Sequence, residues 1–111
     1  MLVVEDEPSI RLLCRINLEL EGFEVLEAGS LADARAAIHD NELSVVLLDL
    51  RVGSERGTDL IHELRTRGVP IVLVTGSAER KSEAEGLADA YLRKPFAIDE
   101  LLRTVKELAV H

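Results

Sequence analysis

The chain has 111 residues, of which 47% are hydrophobic but only 3% aromatic, which is enough for one domain with an aliphatic core. Its formal net charge of −8, with Lys and Arg scattered along the chain, argues against a nucleic-acid-binding surface. No apolar stretch approaches the ~20 residues of a membrane span, and no charged-then-apolar leader precedes the first predicted strand. The single Cys14 excludes an internal disulfide, is expected to pack in the core and is typical of a reducing compartment. We therefore expect one cytoplasmic domain over residues 1–111.

Five short strands alternate with helices along the sequence. Runs rich in Val, Ile and Leu without polar alternation are typical of strands buried on both faces of a parallel sheet. The predicted strands are Met1–Val4, Glu24–Ala28, Ser44–Asp49, Pro70–Thr75 and Tyr91–Arg93. The predicted helices are Pro8–Glu21, Ser30 as N-cap to about His39, Thr58 to about Arg67, Ala78–Gly86 and Ile98–Val110, and the stretch Arg51–Gly57 is predicted to be a Gly-bearing loop. This alternation predicts right-handed crossovers and an α/β fold with a parallel sheet.

Residues suited to phosphate or metal chemistry stand at the ends of four of these strands. Glu5 and Asp6 follow the first strand, and Asp49 ends the third. Thr75 ends the fourth strand, and Lys94 follows the fifth. In open α/β sheets, ligands bind in the crevice beyond the carboxyl ends of the strands. We therefore expect three carboxylates, a hydroxyl and an amine to meet at one end of the molecule.

The three carboxylates favour a bound cation. Glu5, Asp6 and Asp49 would be close together if the first and third strands are neighbours, and such a cluster is repulsive unless a proton or a cation joins it. Oxygen ligands with no His or Cys beside them suit Mg²⁺. The alternative for the first segment is that Glu5, Asp6 and Glu7 interact with the positive end of the following helix. Asp49 has no comparable structural explanation, because a strand end does not require a carboxylate.

Lys94, Thr75 and Tyr91 each have a structural interpretation as well as a functional one. Lys94 either forms an ion pair with the acids or holds a phosphoryl oxygen beside a metal, and a cis bond to Pro95 would direct it into the crevice. Thr75 is also explained as an ordinary β-branched strand residue, and Tyr91, the only tyrosine, as an aromatic that packs on the sheet. Their joint placement at the strand ends favours a functional site.

The sequence resembles a receiver domain of the two-component response regulators over almost its whole length. The similarity lies in the segments Leu2–Pro8, Val45–Leu50 with Gly57, Val74–Thr75 and Tyr91–Phe96. These motifs, in this order and at this spacing, are highly specific. The family implies a flavodoxin-like (βα)5 fold, with a five-stranded parallel sheet of order 2-1-3-4-5 and helices on both faces.

The resemblance implies that the acids take part in phosphoryl transfer. Asp49 is expected to accept a phosphoryl group from a phosphohistidine donor, with Mg²⁺ as the cofactor. The implied metal ligands are Glu5, Asp6, Asp49 and the backbone carbonyl of Arg51. Phosphoryl transfer depends mainly on alignment and charge neutralisation, which a metal ion and a lysine supply. The domain would then be a signalling phosphoacceptor rather than an enzyme that turns over a separate substrate.

The remaining residues of the implied site are expected to respond to the phosphoryl group. Lys94 and Thr75 would contact its oxygens, and the rotamer of Tyr91 would follow Thr75 in a switch of the surface. Arg51 lies two residues beyond the acceptor, at a position that tunes hydrolysis in the family. We expect Arg51 and Ser77 to set the lifetime of the phosphoaspartate.

The expected partner is a histidine kinase or a histidine phosphotransfer protein. The first helix carries a wide apolar arc, which is explained either by deep burial or by docking of this partner, with Ile10 and Ile16 as contacts. The domain itself is expected to bind neither nucleic acid nor membrane, and no effector domain is expected within this chain. A weak homodimer fits the family, although apolar residues are sparse from Ala78 to Tyr91, within the family's common dimer face.

Three other functions fit the sequence less well. A pseudo-receiver, which is an interaction module that is never phosphorylated, would not need the complete set of acids together with Thr75 and Lys94. A flavodoxin-type FMN carrier needs a Ser/Thr/Gly-rich phosphate loop after the first strand, where this chain has three acids. An aspartyl phosphatase would need a second carboxylate where this chain has Arg51. The three histidines are dispersed and receive no metal role: His39, His62 and His111.

Overall fold

A five-stranded parallel sheet with the strand order β2-β1-β3-β6-β7 runs through the centre of the molecule. The computed structural model describes residues 1–76 and 86–109. In chain order the strands are β1 (Leu2–Val4), β2 (Leu26–Ala28), β3 (Val46–Asp49), β4 (Arg51–Val52), β5 (Glu55–Arg56), β6 (Ile71–Thr75) and β7 (Ala90–Arg93). Since β6 and β7 are the fourth and fifth strands of this sheet, the predicted flavodoxin-like order is confirmed.

Helices follow the strands of the sheet in the order that the sequence predicts. They are α1 (Pro8–Leu20), α2 (Leu31–Asp40), a 3-10 turn (Gly57–Leu60) that leads into α3 (Ile61–Thr66), and α4 (Ile98–Ala109). Ser30 is the N-cap of α2, as predicted, and its hydroxyl accepts a hydrogen bond from the backbone N–H of Asp33 (3.1 Å). The helix predicted over Ala78–Gly86 lies, apart from Gly86, outside the described residues. Within the described ranges, no helix combines the length and the apolar character that crossing a membrane requires.

Alternate residues of the strands contribute to two separate cores, one on each face of the sheet. One core combines β-strand residues with α2 and α3, and its strand members include Leu2, Val4, Leu48 and Leu73. The other combines strand residues with α1 and α4, and its strand members include Val3, Leu47, Val72 and Val74. Because both faces of each central strand are covered, these strands are apolar up to their carboxyl ends, where Asp49 ends β3 and Thr75 ends β6, and they show no polar alternation.

The segment predicted as a loop from Arg51 to Gly57 contains regular structure, so that prediction was wrong. Strands β4 and β5 form an antiparallel ribbon in which Arg51 pairs with Arg56, and Val52 with Glu55. Gly53, at the turn, has a φ of +63°, a conformation that L side chains rarely adopt. The following helix also begins as a 3-10 turn at Gly57 rather than as a regular helix at Thr58. Strands of two residues are too short for a periodic pattern to reveal them.

Helix α1 buries only one stripe of its apolar arc. Cys14 and Leu18 are 1% and 0% exposed, and they pack in the core shared with α4. In contrast, four apolar side chains of the same helix are between 43% and 80% exposed: Leu12, Leu13, Ile16 and Leu20. Deep burial is therefore wrong as the explanation of the wide arc, because the sheet and α4 cover only one side of a helix. The prediction that Cys14 packs in the core is confirmed.

Candidate functional site

The ends of β1 and β3 bring three acids together. These strands are neighbours, with Val4 paired to Leu48, so Glu5 and Asp49 come next on adjacent strands. Glu5, Asp6 and Asp49 each place one carboxylate oxygen within 4.8 Å of the others. Glu5 and Asp49 are buried, with 4% and 5% of their surface exposed, whereas Asp6 is exposed. The close approach of the acids that the sequence predicted is therefore present.

Lys94 joins the two buried acids. Its Nζ lies 2.6 Å from Oε1 of Glu5 and 2.8 Å from Oδ2 of Asp49. The backbone N–H of Lys94 donates to the carbonyl oxygen of Thr75 (2.7 Å), and the peptide bond to Pro95 is cis. The ion pair considered from the sequence is thus present, and it places an ammonium group directly beside the Asp49 carboxylate.

The main chain around Asp49 is held by close backbone contacts. The N–H of Arg51 donates to Oδ1 of Asp49 (3.3 Å). The N–H of Gly57 donates to the carbonyl oxygen of Leu50 (2.7 Å). A Cβ at position 57 would collide with the carbonyl oxygen of Asp49, so only glycine permits this approach. The chain therefore leaves β3 after Asp49, forms the β4–β5 ribbon and returns beside the end of β3 at Gly57.

Asp6 is tied to the ribbon. The N–H of Gly53 donates to Oδ2 of Asp6 (3.0 Å). Burial acts to raise the pKa of Asp6, but hydrogen bonds from Glu5 and Gly53 and the charge of Lys94 together hold that pKa below its ordinary value. Asp6 therefore remains a carboxylate at neutral pH.

Burial acts on the pKa values of Glu5 and Lys94 in opposite directions, because it disfavours the charged form of each. Burial raises the pKa of Glu5 from 4.5 to about 7, and the neighbouring Asp49 carboxylate adds to this rise, although Lys94 and the N–H of Glu7 favour the ionised form. Burial acts to lower the pKa of Lys94, but its hydrogen bonds to Asp49 and Glu5 raise that pKa above its ordinary value. Lys94 is therefore charged at neutral pH, whereas Glu5 binds a proton in the same pH range.

The residues of this cluster fit a magnesium ion. When Glu5 is ionised, three carboxylates against one ammonium group leave an excess of two negative charges, which one divalent cation would neutralise. The side-chain donors are carboxylate oxygens, the ligands that Mg²⁺ prefers. The buried Cys14 thiol is not a competing soft ligand, because burial raises its pKa to about 11 and keeps it protonated.

Thr75 and Tyr91 lie on the two strands beyond β3. Thr75 is half-buried and stands one residue beyond Val74, which is the strand partner of Asp49. Tyr91 is 43% exposed, and its hydroxyl accepts a hydrogen bond from the N–H of Ala88 (3.1 Å). The ring is therefore not buried against the sheet, and packing on the sheet does not explain it.

The other predicted site residues have different surroundings. Arg51 is exposed on β4, Ile10 is half-buried on α1, and Ile16 is 46% exposed on the same helix. Glu7 is the N-cap of α1, and its carboxylate accepts hydrogen bonds from the backbone N–H (3.5 Å) and the hydroxyl (3.0 Å) of Ser9, so the helix-capping interpretation holds for this acid. Ser77 lies outside the described residues.

Two residues of the site were not predicted. Gly53 supplies an N–H to Asp6, and Arg11 donates from Nη1 to the carbonyl oxygen of Glu5 (2.8 Å). The sequence places Arg11 on the polar face of a helix and Gly53 in a loop. No sequence pattern identifies either contact, because each joins segments that meet only in the folded chain.

Comparison with known proteins gives consistent matches. The family model for the response regulator receiver domain matches residues 1–106. The phosphate regulon transcriptional regulatory protein PhoB of Pseudomonas aeruginosa is 34% identical over 96% of this chain and 49% of its own length. The probable transcriptional regulatory protein TcrX of Mycobacterium tuberculosis is 33% identical over 97% of this chain and 48% of its own length. This chain thus spans about half the length of these curated relatives.

Solved structures match over nearly the whole chain. The receiver domain of NtrX from Brucella abortus has a TM-score of 0.87 and 30% identity, covering 97% of this chain and 96% of that one. A CheY-like receiver domain protein from Methanospirillum hungatei has a TM-score of 0.86 and 32% identity, covering 97% and 90%. Because the family model and these structures extend over both cores and the acidic end of the sheet, the chain belongs to the response regulator receiver domain family of two-component signalling.

Proposed function

We propose that this domain receives a phosphoryl group on Asp49 from a phosphohistidine donor, in a Mg²⁺-dependent reaction, and thereby switches its surface. The observation that carries the proposal is the buried Asp49 carboxylate, 2.8 Å from the Lys94 ammonium group and within the acidic cluster. Phosphoryl transfer to a carboxylate needs an oxygen nucleophile beside positive charge. Membership of the receiver family supports the same donor, a histidine kinase or a histidine phosphotransfer protein.

Each residue of the site would have its own role in the phosphoryl transfer. One oxygen of Asp49 forms the new bond to phosphorus, while the bond to the donor imidazole nitrogen breaks and the imidazole leaves with the electron pair. Lys94 contacts an oxygen of the transferred group, since it already lies between Glu5 and Asp49. Bound Mg²⁺ would neutralise charge on this group, and its ligands would be Glu5, Asp6, Asp49 and the backbone carbonyl of Arg51. The domain at most catalyses its own phosphorylation and slow dephosphorylation.

Thr75 and Tyr91 are the residues through which we propose the switch. The Thr75 hydroxyl, at the end of β6, would form a hydrogen bond with a phosphoryl oxygen. The rotamer of the Tyr91 ring would then follow Thr75; the ring is 43% exposed, and its hydroxyl accepts a hydrogen bond from the N–H of Ala88. The added charge at Asp49 would in this way change an exposed part of the surface.

Replacing Asp49 by Asn should abolish phosphorylation. With acetyl phosphate and Mg²⁺, the wild type is expected to gain one phosphoryl group in its intact-mass spectrum, and Asp49→Asn none, because a carboxamide is not a comparable nucleophile. Asp40→Asn, which removes an exposed carboxylate at the end of α2, should behave like the wild type. An unmodified wild type would instead support the pseudo-receiver function.

The raised pKa of Glu5 should make the metal-free protein less stable as the pH rises from ~4.5 to ~7. The folded state binds this proton more tightly than the unfolded state, so the stabilisation is complete below the ordinary pKa and is lost as the pH passes about 7. Urea unfolding in EDTA should show a fall of about 2 kcal/mol, a figure already reduced for solvent screening.

Two variants test that Glu5 causes this pH dependence. Glu5→Gln should flatten the fall in stability, whereas Glu42→Gln, which changes an exposed side chain, should retain it. The low pKa of Asp6 acts at lower pH and does not mask the effect. Because the metal competes with the Glu5 proton, Mg²⁺ should also bind more weakly below pH ~7. Equal slopes for the wild type and Glu5→Gln would contradict this account.

We propose that Arg51 and Ser77 set the lifetime of the phosphoaspartate. Arg51 is exposed on β4, two residues beyond the acceptor. Replacing both residues by Ala should change the dephosphorylation rate about tenfold, the effect of a change of about 1.4 kcal/mol in the barrier. Mass spectrometry after removal of acetyl phosphate measures this rate. Arg56→Ala, which alters the partner of Arg51 in the ribbon, is the control, and an unchanged rate in the double variant would refute the proposal.

We also propose that the exposed arc of α1, with Ile16 and the half-buried Ile10 beside it, docks the phosphohistidine donor. Ile16→Glu should slow transfer from the cognate kinase at least about tenfold, because it places a charge in an apolar interface. Phosphorylation by acetyl phosphate should be unchanged, since Asp49 is untouched. Ala36→Glu, at an exposed position of α2, provides a control for the added charge. Unimpaired transfer to Ile16→Glu would exclude docking at this position.

The same proposal includes the location of the domain, the molecules it does not bind and its oligomeric state. We place its action in the cytoplasm, without nucleic acid or membrane binding by the domain itself, which its net charge of −8 supports. We also propose a weak homodimer through the family's common dimer face. Residues 77–85, next to β7 in sequence, lie outside the described residues.

A further inference from the structure

Arg11 connects α1 to the backbone of the acidic cluster. Its Nη1 donates to the carbonyl oxygen of Glu5 (2.8 Å), and its Nε donates to Oε1 of Glu27 in β2 (3.2 Å). The side chains of Arg11 and Glu27 are 22% and 24% exposed, so this ion pair is better shielded from solvent than a surface pair. One guanidinium group thus joins a helix, an outer strand and the residue that follows β1.

The backbone of Glu5 is held from two directions. Its N–H donates to the carbonyl oxygen of Ala28 (3.0 Å), which continues the pairing of β1 with β2. Its carbonyl oxygen accepts from Arg11, which is itself fixed by Glu27. Both restraints originate in β2, so the position of the Glu5 carboxylate depends on residues far from it in sequence.

Gly29 leaves the space that the Arg11 guanidinium occupies. A Cβ at position 29 would lie 2.8 Å from Nη1 of Arg11, closer than real Cβ atoms approach other heavy atoms. The obstructing atom belongs to a flexible side chain, so an alanine here would displace the guanidinium group rather than the backbone. Gly29 therefore offers a way to move Arg11 without removing its charge.

We propose that Arg11 is a positioning residue for the metal site: it fixes the Glu5 backbone so that the Glu5 carboxylate and the adjacent Asp6 are preorganised for Mg²⁺. This inference rests on the proposed function, because it requires that the acids bind Mg²⁺. Residues that orient the ligands of a metal affect its affinity without contacting it. Arg11 holds the peptide between Glu5 and Asp6, which are both proposed ligands.

Charge alone predicts the opposite effect. Arg11 is a cation near a site for a cation, so its removal should strengthen Mg²⁺ binding by simple electrostatics. Removal also frees the Glu27 carboxylate from one of its partners, which again favours a cation. Weaker Mg²⁺ binding after removal of Arg11 would therefore identify positioning rather than charge as the cause.

Arg15 provides the matched control. It lies one turn further along α1 and binds the other oxygen of the same acid, with Nη1 2.5 Å from Oε2 of Glu27. It also pairs with Glu19 (3.5 Å), and none of its polar contacts within the described part of the chain reaches Glu5. Arg15→Gln and Arg11→Gln thus remove the same charge from the same network, but only Arg11→Gln releases the Glu5 carbonyl.

The test is a Mg²⁺ titration of the whole domain, followed by backbone amide chemical shifts in NMR spectra that also report folding. We expect the Mg²⁺ dissociation constant to rise about 3- to 10-fold in Arg11→Gln and to stay within about twofold of wild type in Arg15→Gln. Binding in Arg11→Gln as tight as in the wild type, or tighter, would overturn the inference. Absence of Mg²⁺ binding to the wild type would instead refute the proposed function.

Gly29→Ala gives a second test that keeps every charge. It should raise the Mg²⁺ dissociation constant about threefold or more, because the displaced guanidinium no longer binds the Glu5 carbonyl. Ala32→Gly serves as a control for stability. It removes one methyl group, where Gly29→Ala adds one, at an exposed position near the start of α2. Wild-type affinity in a folded Gly29→Ala protein whose Arg11 is displaced would show that the contact does not position the site.

Discussion

The pairing of Lys94 with two buried carboxylates is the interaction on which the rest of the site depends. Glu5 and Asp49 are 4% and 5% exposed, and removing two like charges from water costs several kcal/mol each unless opposite charge compensates. Lys94 supplies one positive charge, at 2.6 Å and 2.8 Å from the two acids. One ammonium group cannot neutralise three carboxylates, and the pKa of Glu5 is raised, first by its burial and then by the neighbouring Asp49 carboxylate. The cluster is therefore built to bind a further positive charge, either a proton or a metal ion.

The order of the strands explains why a lysine, with its long side chain, serves this site. Lys94 follows β7, and β6 separates β7 from β3, so two strand spacings of about 4.8 Å lie between the ends of β7 and β3. An ammonium group on a long stem bridges most of that distance and still reaches both acids. Glycine at position 57 complements this arrangement, because the chain after β3 must pass close to the Asp49 carbonyl oxygen.

Helix α1 has three sides with different surroundings. Cys14 and Leu18 pack against the sheet and α4. Arg11 and Arg15 turn towards β2, where Glu27 holds both. The remaining side, which includes Ile16, is open to solvent. A single helix thus stabilises the core, supports the acidic cluster and presents an apolar surface. These three roles explain why α1 carries both a wide apolar arc and charged residues.

The amino-acid sequence by itself determined the buried parallel strands, the alternation with helices and the acids and lysine at the strand ends, because apolar runs and their boundaries are local properties. The strand order followed from the resemblance to receiver domains. The tertiary structure decided the β4–β5 ribbon, the exposed side of α1, the outward Tyr91 ring and the contacts of Arg11 and Gly53. It also decided the raised pKa of Glu5, since desolvation depends on atoms that several strands bring together. A periodic pattern reports which residues share a face, but not which segments meet across space.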